Sequence, residues 1–102
     1  MASLTLLQMA DPSKRFILET DASSVALGAV LKQVVAGEER AVGFFSRGLN
    51  RAERNYSTYE RELLAVVASC EAWKVYLLGR PFTLRTDHQA LKYIFKSTPK
   101  VT

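Results

Sequence analysis

The stretch from Tyr59 to Leu78 has a different period from everything before it, and that switch constrains the fold more than any other feature. Its apolar residues fall at Tyr59, Leu63, Val66, Val67, Cys70, Trp73 and Leu77, which is the spacing of an amphipathic helix. Ser57 or Thr58 supplies an N-cap, and Glu60 sits in the first turn, where the helix dipole favours an acid. Gly79-Arg80-Pro81 is the stop signal. Ahead of this helix lie three β-rich runs. Arg15–Asp21 follows the turn cluster Asp11-Pro12-Ser13-Lys14, Ala26–Val34 is broken by Ala36-Gly37-Glu38-Glu39, and Arg40–Arg47 holds Ala41-Val42-Gly43-Phe44-Phe45-Ser46. Short strands with brief turns predict an antiparallel meander. After the helix, Phe82–Thr86 reads as a fourth strand and Ala90–Lys96 as a short second helix. The order predicts an α/β fold in which three antiparallel strands lead through a crossover helix to a fourth strand parallel to the first. Residues 1–8 are expected as an N-terminal segment ahead of one domain spanning 9–102.

Composition narrows the classes. With 102 residues, 48% of them hydrophobic, the chain suits one core and is too apolar for a disordered tail. The single cysteine, Cys70, excludes an internal disulfide framework. No run approaches the roughly 18 apolar residues of a membrane span, and Met1–Ala10 lacks the pattern of a signal peptide. An intracellular, non-secreted, non-membrane protein is expected. The formal charge of +4 is uneven. Residues 72–102 carry Lys74, Arg80, Arg85, Lys92, Lys96 and Lys100 against Asp87 alone, whereas residues 1–71 are nearly neutral. Such a basic end suits either a phosphate-tracking surface or a solvated face.

Three carboxylates stand out. Asp21 and Asp87 each close a predicted strand, and parallel neighbours would bring those C-terminal ends together, where α/β sheets bind ligands. Glu62 shares the helix face of Leu63, Val66, Cys70 and Trp73, so it is expected to point at the sheet. Glu60, about 200° away at roughly 100° per residue, points to solvent. Acidic groups with no histidine cluster and no second cysteine favour Mg²⁺ or Mn²⁺ over Zn²⁺. Two plainer readings stay open: strand-end aspartates form turns, and Glu62 can pair with an arginine.

The blocks Glu19-Thr20-Asp21-Ala22-Ser23, Gly28-Ala29-Val30-Leu31, Phe45-Ser46-Arg47, Glu53 through Val66, and Leu84-Arg85-Thr86-Asp87-His88-Gln89-Ala90-Leu91 carry a resemblance. Together they resemble the ribonuclease H domain in reverse transcriptases of gypsy-type LTR retroelements. The resemblance implies a ribonuclease H-like mixed sheet and a site where four carboxylates hold two Mg²⁺ ions, with Mn²⁺ as a substitute. By motif match, Asp21 is the first carboxylate and bridges both ions, Glu62 is the second and Asp87 the third. The implied reaction is hydrolysis of the RNA strand of an RNA–DNA hybrid. The implied context is a Pol polyprotein with a polymerase domain as partner. Ser23, Arg47, Asn55 and His88 are expected nucleic-acid contacts, with capping the alternative for Arg47 and Asn55. Arg85 is expected to face away from the site, and Trp73 and Tyr76 to belong to the core.

The resemblance also implies a missing piece. The family's fourth carboxylate lies downstream, and no Asp or Glu follows Asp87 here. The fold is therefore expected to lack its last strand and helix, and the isolated chain to be weakly active or inactive. An open edge at Phe82–Thr86 would then favour self-association. A non-catalytic, element-derived nucleic-acid or protein-binding module is the competing reading.

Overall fold

The computed structural model describes residues 2–6, 10–11 and 13–86. The predicted helix at 90–96, with Asp87 and His88, lies outside the described residues. The strands are β1 (Ala2–Leu6), β2 (Phe16–Ala22), β3 (Ala26–Val35), β4 (Glu38–Gly48) and β5 (Phe82–Arg85). The helices are α1 (Arg51–Arg54), α2 (Thr58–Ala72) and α3 (Lys74–Leu77). One mixed sheet runs in the order β1-β4-β3-β2-β5, with β5 parallel to β2 and the other pairs antiparallel.

The predicted meander, crossover and parallel fourth strand are all present. The opening residues differ from expectation, because residues 2–6 form an edge strand on β4. Gly43 admits it: a Cβ there would lie 2.8 Å from the Thr5 carbonyl oxygen. The β3–β4 turn is tight, with Ala36 and Gly37 both at positive φ (54° and 81°). A register shift between Leu31 and Lys32 bulges the same hairpin.

Alternation sorts the sheet into two faces. Phe16 and Leu18 of β2, Ala29 and Leu31 of β3, and Val42 and Phe45 of β4 form the main core with Trp73 and Leu77. Helix α2 packs over β2 and β3 on this side. Its buried residues are Ala65, Val66 and Ser69, while Val67, expected on the inner face, is 53% exposed. Small residues at 65 and 69 let the helix sit close to the sheet, and the Ser69 hydroxyl is satisfied by the Ala65 and Val66 carbonyls at 2.7 and 3.1 Å.

Ser57 caps α2 in a reciprocal box with Glu60. The helix expected to run to Leu78 is interrupted at Trp73 and resumes as α3. Trp73 leaves helical geometry at φ −106° and ψ 28° and is fully buried, edge-on to Phe45 with ring centroids 6.2 Å apart. Tyr76 packs on Phe16 at 6.0 Å. Both aromatics serve the core, as expected.

Candidate functional site

The C-terminal end of β2 carries Asp21 and leads into Ser23. Asp21 is the penultimate residue of the strand and is exposed. Its Oδ1 accepts the Ala22 N–H at 2.9 Å. Ser23 follows and builds the turn into β3: its Oγ accepts the amides of Val25 and Ala26 at 3.2 and 3.0 Å, and its own N–H donates to the Ala26 carbonyl. This ST-type turn fixes the backbone that carries Asp21.

Glu62 lies on the line of α2 that runs through Ala65, Val66 and Ser69. It is half-buried on the side packed against β2 and β3, whereas Glu60 is exposed and occupied with the Ser57 cap. The sequence distinguished these two glutamates correctly. Asp21 projects from the opposite face of β2, the face it shares with Glu19. The two carboxylates therefore flank the strand end from the helix side and the open side, on elements in direct contact. Among the described residues no group of three His, Cys, Asp or Glu is arranged to hold a metal ion; the third candidate, Asp87, is not among them.

On the open face lies a concavity of about 710 Å³ bounded by Glu19, Asp21, Phe44, Ser46, Arg85 and Thr86. Arg85 was expected to point away from the site and does not. It stands beside Glu19 in the parallel ladder, so it shares the face of Glu19 and Asp21.

Arg85 also anchors a charge network across four neighbouring strands. Its guanidinium donates to Glu19 at 2.9 Å and to both carboxylate oxygens of Glu39, while the Lys32 ammonium lies 2.9 Å from Glu19. The Lys32 hydrogen bond, then the Arg85 one, hold the Glu19 carboxyl below its ordinary pKa. Arg85 does the same for Glu39, and the two carboxylates raise the pKa of Arg85. Sequence reasoning missed this network because its four members come from four strands.

Arg47 and Asn55 turn out to be tied to α1, a helix the sequence reading did not anticipate. Arg47 forks onto Glu53 at 2.8 and 2.9 Å. Glu53 in turn completes a capping box with Asn50, and Asn55 is the C-cap. The Arg47 fork and the Asn50 amide together hold the Glu53 carboxyl down at about 2. Asn55 is thus a cap, whereas Arg47 is occupied by the carboxylate that closes the α1 capping box. The signal for α1 was present as Asn50-x-x-Glu53, a capping-box spacing.

A meander, a helical crossover and a parallel fourth strand, with Asp21 at the end of β2, define an α/β fold of the ribonuclease H-like type. A family model for the RNase H-like domain found in reverse transcriptase matches residues 11–102. The chain belongs to that family.

It is 47% identical over 89 residues, 87% of its length, to a retrovirus-related Pol polyprotein from transposon 297 of Drosophila melanogaster. It is 40% identical over 94 residues to the transposon Tf2-3 polyprotein of Schizosaccharomyces pombe. The chain spans only 8% and 7% of those two proteins. Its fold resembles a foamy viral protease-reverse transcriptase solved with RNA/DNA hybrid, with TM-score 0.65, 15% identity, and coverage of 94% of this chain and 13% of that one. A second such structure, solved with double-stranded DNA, gives TM-score 0.68 at 13% identity, covering 80% and 15%.

Proposed function

We propose that this chain is the metal-dependent nuclease portion of a gypsy-type retroelement reverse transcriptase, hydrolysing the RNA strand of RNA–DNA hybrids. The observation that carries the reading is the parallel ladder between β2 and β5. Each of its pairs is offset by 66 positions, as Glu19 and Arg85 are, and Asp21 and Asp87 have the same offset in the sequence. The ladder runs β5 parallel to β2 toward the strand end that holds Asp21, and Glu62 lies on α2, which packs against β2.

The donor set fits a hard cation in kind, since Asp21 and Glu62 offer carboxylate oxygens on contacting elements. Asp21, Glu62 and Asp87 would hold Mg²⁺ or Mn²⁺. When bound, such ions supply an activated water and stabilise the leaving oxygen. The protein's own contribution is placement: the Ser23 turn fixes the Asp21 backbone, and the inner line of α2 aims Glu62 at the sheet. Ser23 and His88 remain candidate contacts to the hybrid, and the 2′-hydroxyls and backbone shape would be read in preference to base edges.

The wider setting we infer is an intracellular Pol polyprotein with a polymerase domain as neighbour. No described helix is long and apolar enough to cross a membrane.

The test is cleavage of a labelled RNA–DNA hybrid with Mg²⁺ and with Mn²⁺, for the chain alone and for a chain extended by a family C-terminal segment bearing the fourth carboxylate. We expect the extended chain to cleave and both Asp21→Asn and Glu62→Gln to lose at least a hundredfold of that rate. Cleavage untouched by Asp21→Asn would reject the assignment. Salt-sensitive hybrid binding with no cleavage even after extension would favour the binding-module reading.

A further inference from the structure

We propose that β1 is a self-pairing edge: it joins β1 of a second copy antiparallel about a two-fold axis at Leu4, fusing the two sheets. β1 is an edge of the sheet and pairs with β4 alone among the described residues, so none of these residues pairs with its outer edge. Natural edge strands are blunted by charge, proline or bulges. The segment Ala2-Ser3-Leu4-Thr5-Leu6 has none of these. The contrast with β5 is informative. That strand has four residues, follows Pro81 and ends on Arg85, whose charge is already committed to Glu19 and Glu39.

The strand is also complementary to itself. Leu4 stands opposite Phe45 and so lies on the helix side of the sheet, where it is 47% exposed. Leu6 is 54% exposed. Ser3 and Thr5 alternate onto the other face. Reversing the strand about Leu4 sets Leu4 against Leu4, Ser3 against Thr5 and Leu6 against Ala2. Every position then meets one of its own polarity, on its own face, with no charge to repel a second copy. Isologous pairing of this kind is the closed symmetry that gives a dimer and no fibre. Nothing on β1 favours a partner of different charge or polarity, and this points to a second copy as the occupant.

The test uses the full 102-residue chain with Cys70→Ala, so that any introduced thiol is single. Sedimentation over protein concentrations from ~10 μM to ~1 mM should show a rising dimer fraction. Leu4→Lys places like charges across the two-fold and should weaken the dimer at least tenfold. Val75→Lys, at a side chain 86% exposed on α3, should not. Circular dichroism confirms that each variant is folded.

Register gives a second readout that does not depend on stability. Leu4→Cys should form an intermolecular disulfide under mild oxidation, because the residue meets its own copy. Ser3→Cys should not, because two Ser3 positions would sit two steps apart in the ladder, beyond the ~7 Å Cα separation a disulfide spans. A monomer at every concentration would overturn the proposal. So would a dimer that survives Leu4→Lys, or crosslinking of Ser3→Cys as readily as Leu4→Cys.

Discussion

Replacing Gly43 by alanine puts a methyl group 2.8 Å from the Thr5 carbonyl oxygen, 3.3 Å from Leu6 Cδ2 and 3.5 Å from Trp73 Cζ2. The last is ordinary contact, and the second can be relieved by an exposed side chain. The first cannot, because it is backbone. Either β4 and β1 separate locally or β1 leaves the edge. Overpacking of this kind costs about 1–3 kcal/mol. Without β1 the sign should reverse. Glycine within a strand is about 0.5–1 kcal/mol less favourable than alanine, so in a chain lacking residues 1–6 the same substitution should stabilise.

Four proteins decide it: the parent, Gly43→Ala, the chain lacking residues 1–6, and that shortened chain with Gly43→Ala. Urea unfolding read as a double-mutant cycle should show a coupling of about 1.5–4 kcal/mol between Gly43 and β1. In the full-length Gly43→Ala protein, amide exchange of residues 3–6 should lose protection first. An equal cost of Gly43→Ala in both backgrounds would refute the reasoning and move the clash to Trp73.

Other consequences are smaller. Glu53 ionises at about 2 against an ordinary 4.5, so its bonds to Arg47 and Asn50 contribute fully above 4.5 and fade as pH falls toward 2. Glu53→Gln should therefore be less stable than the parent at neutral pH, with the difference closing on acidification in denaturant titrations. The Thr20 hydroxyl is buried with no hydrogen-bond partner among the described residues. Thr20→Val should raise stability by about 1 kcal/mol, and a loss in thermal melts would reveal a bond to that oxygen. Ser57→Ala removes the α2 cap and should cost about 1 kcal/mol, seen as a lower unfolding midpoint with unchanged slope.

The amino-acid sequence alone determined everything that depends on period and local chemistry. The three strands, the helix, its Ser57 cap and the parallel fourth strand follow from alternation, helical spacing and the length of the crossover. The separation of Glu62 from Glu60 around the helix belongs here as well, since the angle between two residues of one helix is a local property.

What tertiary structure decided has non-local causes. The helix breaks at Trp73, whose indole is buried in the core beside Phe45, and resumes as α3 although the apolar spacing runs unbroken to Leu77. Val67 turns outward because Ala65 and Ser69, being small, bring a different line of α2 against the sheet. The strand at residues 2–6 is too short to carry a period and exists through its pairing with β4 and the gap at Gly43. Arg85 reaches Glu19 and Glu39 only after strand order has set four strands side by side. Sequence spacing encodes neighbours along one element, whereas strand order and close approach are settled only when distant segments compete for the same surface.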